Sequence, residues 1–194
     1  MSIDQLICML IESVPKDRIN GARQAIPLLV KWVNYYRISN PNHIGYIIGT
    51  VSHESAFLPR REIRANPITQ PTLYKLQERY WKTGYYGRGY IQITWKENYR
   101  RLGQRIGLGD KLVTNPDLAL EPDIAAHIAV VGMHEGLFTG YKLRDFDLPN
   151  NGYDFVNARK IVNALDRAEL VASYGRYYSN VVKKWQSSQK YGIV

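Results

Sequence analysis

The sequence predicts a mostly α domain with a central cleft between two helical lobes and at most a very small β element. Three observations carry this. Apolar residues recur at helical spacing along most of the 194 residues. Only one stretch, Tyr90-Ile91-Gln92-Ile93-Thr94, alternates in the manner of a strand. A single cysteine, Cys8, excludes an intrachain disulfide, so the fold must hold by packing alone.

The elements follow in order. Ser2 with Gln5 forms a capping-box pattern ahead of Leu6, Met9 and Leu10. A second helix runs from about Asn20 to Tyr36, and Pro27 should kink or divide it. Asn40-Pro41 reads as an N-cap and a proline at the first helical position, opening a helix that ends at His53-Glu54. Residues 55–70 have no clean period and form a loop. Leu73 to Trp81 reads as a short helix, and Gly84, Gly87 and Gly89 as a tight turn region. Further helices are expected at Trp95–Ile106, Pro122–Leu137, Phe155–Ala164 and Ala168–Trp185, before a basic, polar C-terminal stretch to Lys190. No repeat or linker divides the chain, so residues 1–194 are expected to form one domain around one apolar fraction of 45%.

The net charge is +9, which favours anionic polymers or surfaces through a salt-sensitive attraction. Tyr occurs 15 times against four Phe, which suits a partly wet groove for polar ringed ligands as well as a core edge. The N-terminus MSIDQLICML lacks the pattern of a signal peptide, and no apolar run reaches the length of a membrane span. Synthesis in a reducing cytoplasm is therefore expected. Arg60, Arg61, Arg64, Arg100, Arg101 and Arg105 form basic patches, but no nucleic-acid-binding motif accompanies them, and no nucleic-acid partner is expected.

Two glutamates stand out. Glu54 closes an apolar helix containing Ile47, Ile48 and Val51; burial and the negative helix end both favour a retained proton. Glu62 lies in Arg60-Arg61-Glu62-Ile63-Arg64, where three arginines would keep it ionised. Taken alone, each reads rather as a solvated surface charge. Together they fit the two carboxyls of glycoside hydrolysis, one acid and one base. Glu78 is a reserve candidate for the base. The histidines show neither HExxH nor CxxC spacing, so no metal and no other cofactor is expected.

The segment Tyr85-Tyr86-Gly87-Arg88-Gly89-Tyr90-Ile91-Gln92-Ile93-Thr94-Trp95 is the most specific in the chain. Its glycines permit close backbone approach to a ligand. Gln92 and Thr94 share one face of the expected strand, and Asn98 lies one helical turn beyond. It lacks the Gly-Lys-Ser/Thr of a phosphate loop.

His53-Glu54-Ser55 followed by this segment resembles the signature of glycoside hydrolase family 19, which contains chitinases and phage endolysins of lysozyme-like fold. Asn115-Pro116-Asp117-Leu118-Ala119 and Ile161-Val162-Asn163 resemble further family segments in the same order, so the match spans roughly residues 44–178. The resemblance implies a lysozyme-like fold, Glu54 as general acid, Glu62 as general base and Thr94 as the positioner of water. It implies Gln92, Asn98 and Asn163 as sugar-binding positions, with Tyr86 beside them, and inversion without a metal. Tyr90 departs from the proline common in plant chitinases, and Ala164 from the usual glycine.

The expected function is hydrolysis of the peptidoglycan glycan backbone by a monomeric endolysin, phage or prophage, with no separate wall-binding module, made in the host cytoplasm and acting on the wall after release. Chitinase is the alternative within the same chemistry, and a non-catalytic wall-binding virion component the alternative outside it. The basic stretch Lys183-Lys184-Trp185 with Lys190 either touches anionic envelope lipid or is the solvated end of the last helix.

Overall fold

The computed structural model describes residues 2–190. Helix α1 (Ile3–Glu12) buries Leu6 and Leu10. Ser2 precedes it, but its side chain makes no capping bond. Its carbonyl instead accepts from the Gln5 and Leu6 amides, so the capping box read from Ser2 and Gln5 is absent.

Helix α2 (Ile19–Tyr35) is continuous through Pro27. Its buried stripe of Ala22, Ala25, Ile26, Leu29, Val30 and Val33 has helical spacing, and that packing offsets the hydrogen bond the proline removes. Helix α3 (Pro41–Ser55) starts as expected: the Asn40 side chain accepts from the Asn42 amide at 2.9 Å, and Pro41 occupies the first turn.

Helix α3 is buried on nearly every face because it lies between α2 and the long helix α8 (Ala168–Lys190). Glycines permit that crossing. A Cβ on Gly45 would stand 2.2 Å from the Ser179 amide nitrogen, and one on Gly49 2.6 Å from the Gly175 nitrogen. The two helix backbones therefore touch directly.

Helix α4 (Pro71–Gln77) and a 3₁₀ turn (Trp81–Thr83) replace the single short helix expected at 73–81. Helices α5 (Lys96–Arg105), α6 (Lys111–Thr114) and α7 (Pro122–Glu135) follow. The helix expected at 155–164 is only a 3₁₀ segment, Asn157–Ile161. Helix α8 runs to Lys190, so residues 186–190 are helical rather than a tail; the Lys190 side chain lies outside the described residues.

There are two cores. The larger gathers α1, α2, α3, α7 and α8 around residues such as Ile26, Ile47, Ile48, Met133 and Val182. The smaller comprises Ile93, Tyr99, Leu102, Leu112, Ala119 and Ile128, and Phe138 packs against both. This is the two-lobed, mostly α architecture the sequence predicts. The β content is small: β1 (Arg60–Arg61) pairs antiparallel with β2 (Arg88–Gly89), and β3 (Asp147–Leu148) with β4 (Gly152–Tyr153).

The alternating stretch at 90–94 is not a strand. Tyr90, Ile91 and Gln92 form a turn closed by reciprocal backbone bonds between Arg88 and Ile93. Tyr90, Ile91 and Ile93 are all buried, so the apolar residues do not alternate between core and solvent. Gln92 adopts a left-handed conformation (φ 57°) at the apex.

Candidate active site

Glu54 is in the last turn of α3. The chain then reverses through Ala56 and Phe57, both with positive φ (51° and 64°), and residues 58 and 59 lead into β1. Gly21 of α2 lies under this reversal: a Cβ there would meet the Phe57 carbonyl oxygen at 2.9 Å. The helix end that carries Glu54 is thus fixed against the larger core.

The surroundings of Glu54 include a cation that the sequence reading did not foresee. Its Oε1 accepts from Arg159 Nη1 at 2.5 Å, and their side chains are 17% and 2% exposed respectively. Arg159, on the 3₁₀ segment 157–161, also donates through Nε to the Asp166 carbonyl at 3.0 Å. The buried guanidinium thus donates to the Glu54 carboxyl and to a backbone carbonyl. Next to Glu54, His53 is pushed down, chiefly by burial, with the neighbouring arginines 159, 167 and 18 adding to the shift and Glu54 opposing it.

Glu62 directly follows β1, and pairing of β1 with β2 brings it beside Gly87. Its amide donates to the Gly87 carbonyl at 2.8 Å. The Gly87 amide returns a bond to Glu62 Oε2, also at 2.8 Å. Oε1 accepts from Gln77 Nε2 at 2.9 Å and from the Tyr80 hydroxyl at 2.7 Å. Burial first, and then this carboxylate, push the Tyr80 phenol up, so Tyr80 keeps its proton and donates it. Three donors converge on one carboxyl group, so its two oxygens are fixed in position as hydrogen-bond acceptors.

The arginines around Glu62 do not supply this. Arg61 pairs with Asp117 at 2.5 Å, Arg64 pairs with Glu78, and the Arg60 side chain points to solvent. The structure therefore replaces the three expected cations with Gln77, Tyr80 and one backbone amide. Glu78 is engaged by Arg64 rather than by the turn.

Gly87 separates Glu62 from Gln92. A Cβ at Gly87 would stand 2.9 Å from Gln92 Oε1 and 3.1 Å from Glu62 Oε2. Gln92 Nε2 donates to the Arg60 and Gly89 carbonyls at 2.8 and 2.9 Å. Thr94 donates through its hydroxyl to the Gln92 carbonyl at 3.1 Å, and Asn98 donates to the Thr94 carbonyl at 2.7 Å. Gln92, Thr94 and Asn98 line a pocket of 160 Å³ with Phe138 and Val162. The three polar residues thus gather as expected, although through a turn and not a strand face. Neither Glu54 nor Glu62 lines this pocket, and the larger surface grooves of 410 and 660 Å³ contain neither glutamate nor any residue of this turn.

Asn163 is exposed; its Oδ1 accepts from the Ala164 amide at 2.8 Å, and its neighbour Val162 lines the pocket instead. Tyr86 stacks on Trp81 (ring centroids 4.4 Å apart, 16° between planes), with the Arg88 guanidinium 4.0 Å from its own centroid. The Tyr86 ring is thus in contact with both Trp81 and Arg88.

Arg159, Gln77 and Tyr80 were not among the residues singled out from the sequence. For Arg159 no local signal pointed to Glu54, which lies 105 positions away. For Gln77 and Tyr80 none did, since their contacts with Glu62 span 15 and 18 positions.

A family model described as chitinase class I matches residues 61–134. An acidic 26 kDa endochitinase of Solanum lycopersicum is 55% identical over 47 residues, 24% of this chain and 19% of the relative. An Arabidopsis thaliana endochitinase, At2g43620, is 38% identical over 90 residues, 45% of this chain and 30% of the relative. The chain thus spans between about a fifth and a third of the length of these relatives. The crystal structure of a chitinase C mutant matches with a TM-score of 0.57 at 17% identity, covering 88% of this chain and 93% of that one. The lysozyme-like fold and the resemblance to glycoside hydrolase family 19 are both borne out. The family match covers Glu62, the glycine turn, Gln92, Thr94 and Asn98. It stops short of Glu54, Arg159 and Asn163.

Proposed function

We propose that this chain, a glycoside hydrolase family 19 relative through residues 61–134, hydrolyses the backbone of an N-acetylhexosamine glycan by acid/base catalysis. One observation carries the proposal: the Glu62 carboxylate is held by three donors beside Gln92, next to a pocket lined by Gln92, Thr94 and Asn98.

In this reading Glu62 takes a proton from water as the water oxygen bonds to the anomeric carbon. The bond from that carbon to the leaving sugar breaks, and Glu54 gives its proton to the leaving oxygen. Thr94, whose own proton is committed to the Gln92 carbonyl, offers its oxygen to the attacking water. Arg159 orients Glu54 and is its counter-charge once the proton has gone. A water held between Glu62 and the anomeric carbon, on the face opposite the leaving sugar, gives inversion.

Peptidoglycan is the preferred substrate, in the setting of a phage or prophage lysis enzyme that reaches the wall after release from the cytoplasm. The net charge of +9 supports this, because the bacterial envelope is anionic. Chitin is the second reading, favoured by the named activity of the endochitinase relatives.

Incubation with purified peptidoglycan and, separately, with chitin oligomers decides between them, with mass spectrometry reading the new reducing ends. Cleavage of peptidoglycan is expected, and cleavage of chitin alone would select the second reading. Binding without new reducing ends, or a Glu62→Gln variant at full rate, would end the case for hydrolysis.

A further inference from the structure

The chain between β1 and β2 forms a flap that holds Glu62 and, among the described residues, exposes several large apolar side chains. Gln77 ties it together, accepting from the Ala65 amide at 2.7 Å and donating to the Ile63 carbonyl at 2.9 Å. The flap is unusually apolar for exposed chain. Ile63 is 85% exposed, Ile68 86%, and Leu73 and Leu76, three positions apart on α4, 43% and 51%. Scattered exposed apolar residues need no explanation, but four fall here within fourteen residues, two of them one helical turn apart on α4.

Cations accompany them. Among the described residues, Arg60, Lys75, Arg79 and Lys82 are exposed and paired with no carboxylate, while the flap's remaining acid, Glu78, is taken by Arg64. A cluster of large apolar side chains edged by free cations is the composition of a segment that lies in the headgroup region of a bilayer. We propose that this flap docks on an anionic phospholipid surface. A second copy of the chain does not fit, because it would bring like charge against like; each chain bears +9 overall. The C-terminal helix is less suited, because Trp185 is packed on the larger core and donates to the Ser2 carbonyl at 3.2 Å.

Co-sedimentation of the full chain with vesicles tests this. Binding to phosphatidylglycerol–phosphatidylcholine vesicles and not to pure phosphatidylcholine is expected, weakening as salt rises. An Ile68→Ser/Leu76→Ser variant should bind at least about tenfold more weakly, since apolar area is lost. A Lys75→Gln/Arg79→Gln variant should weaken likewise, and Lys183→Gln/Lys184→Gln should not. Absence of binding, or full binding by the Ile68/Leu76 variant, would overturn the proposal. Loss confined to the Lys183/Lys184 variant would do so too and move the contact to α8. None of these residues touches Glu54, Glu62 or the pocket, so hydrolysis of soluble oligosaccharides should be unchanged in every variant. Failure of wild-type hydrolysis would leave the vesicle result standing.

Discussion

Gly87 and Glu62 are bonded in both directions: the Glu62 amide donates to the Gly87 carbonyl and the Gly87 amide to Glu62 Oε2, each at 2.8 Å. The glycine is required for room rather than for backbone freedom, since any Cβ would enter the space between Glu62 and Gln92. Gly87→Ala should therefore displace both side chains. If Glu62 is the base, kcat should fall by about a hundredfold, as expected of a misplacement near 1 Å, with the helical circular dichroism unchanged.

Glu54 and Arg159 should be separable into chemistry and stability. Glu54→Gln should lose about 10²–10⁴ in kcat, the loss expected for a missing general acid, and some stability as well, because Arg159 is left without its counter-charge. Arg159→Leu leaves Glu54 without its cation and should destabilise the fold by about 3 kcal/mol, as breaking one side of a buried pair does. The double variant should regain part of that stability and none of the activity. Urea unfolding alongside reducing-end assays reads both.

The contact of α3 with α8 gives a purely structural prediction. Gly45→Ala places a methyl 2.2 Å from the Ser179 amide nitrogen, which is backbone and cannot turn aside. Overpacking should cost about 1–3 kcal/mol and lower Tm. An alanine at Gly84, where a Cβ meets nothing within 4 Å, should show only the smaller strain of its φ of 79°.

His127 should make stability depend on pH. It stacks on Trp32 at 3.5 Å, bonds the Tyr36 hydroxyl at 2.7 Å, and is pushed down to about 4, mainly by burial. The folded value lies below the unfolded one of about 6.5, so the unfolded chain binds the extra proton first. Stability should fall as pH drops from about 6.5 to about 4, by at most about 3 kcal/mol, and level off below. Thermal melts of the wild type and of His127→Gln, in which that slope should be weaker, check this.

Local signals in the sequence identified most helices, because each depends on neighbours a few positions away. Asn40-Pro41 begins α3 as its side-chain chemistry dictates. The grouping of Gln92, Thr94 and Asn98 was also legible, from spacing that holds in a turn as well as in a strand. The strand itself was misread, because alternation in five residues does not reveal that Tyr90, Ile91 and Ile93 are all buried. The ionic surroundings of Glu62 were misread for a different reason. Adjacent arginines reach outward from β1, and the groups that do meet the carboxylate come from α4, its following turn and Gly87. Arg159 reaches Glu54 across 105 positions, a separation no local pattern encodes.

The clustering of donors on Glu62 ties the loop's closure to the proton count. With the carboxylate ionised, its two oxygens clasp Gln77, Tyr80 and Gly87 together. A carboxyl that has just accepted a proton from water has less acceptor capacity to share among them. In an enzyme that uses Glu62 as base, the clasp is therefore weakest immediately after bond cleavage, when the two halves of the cut glycan must leave.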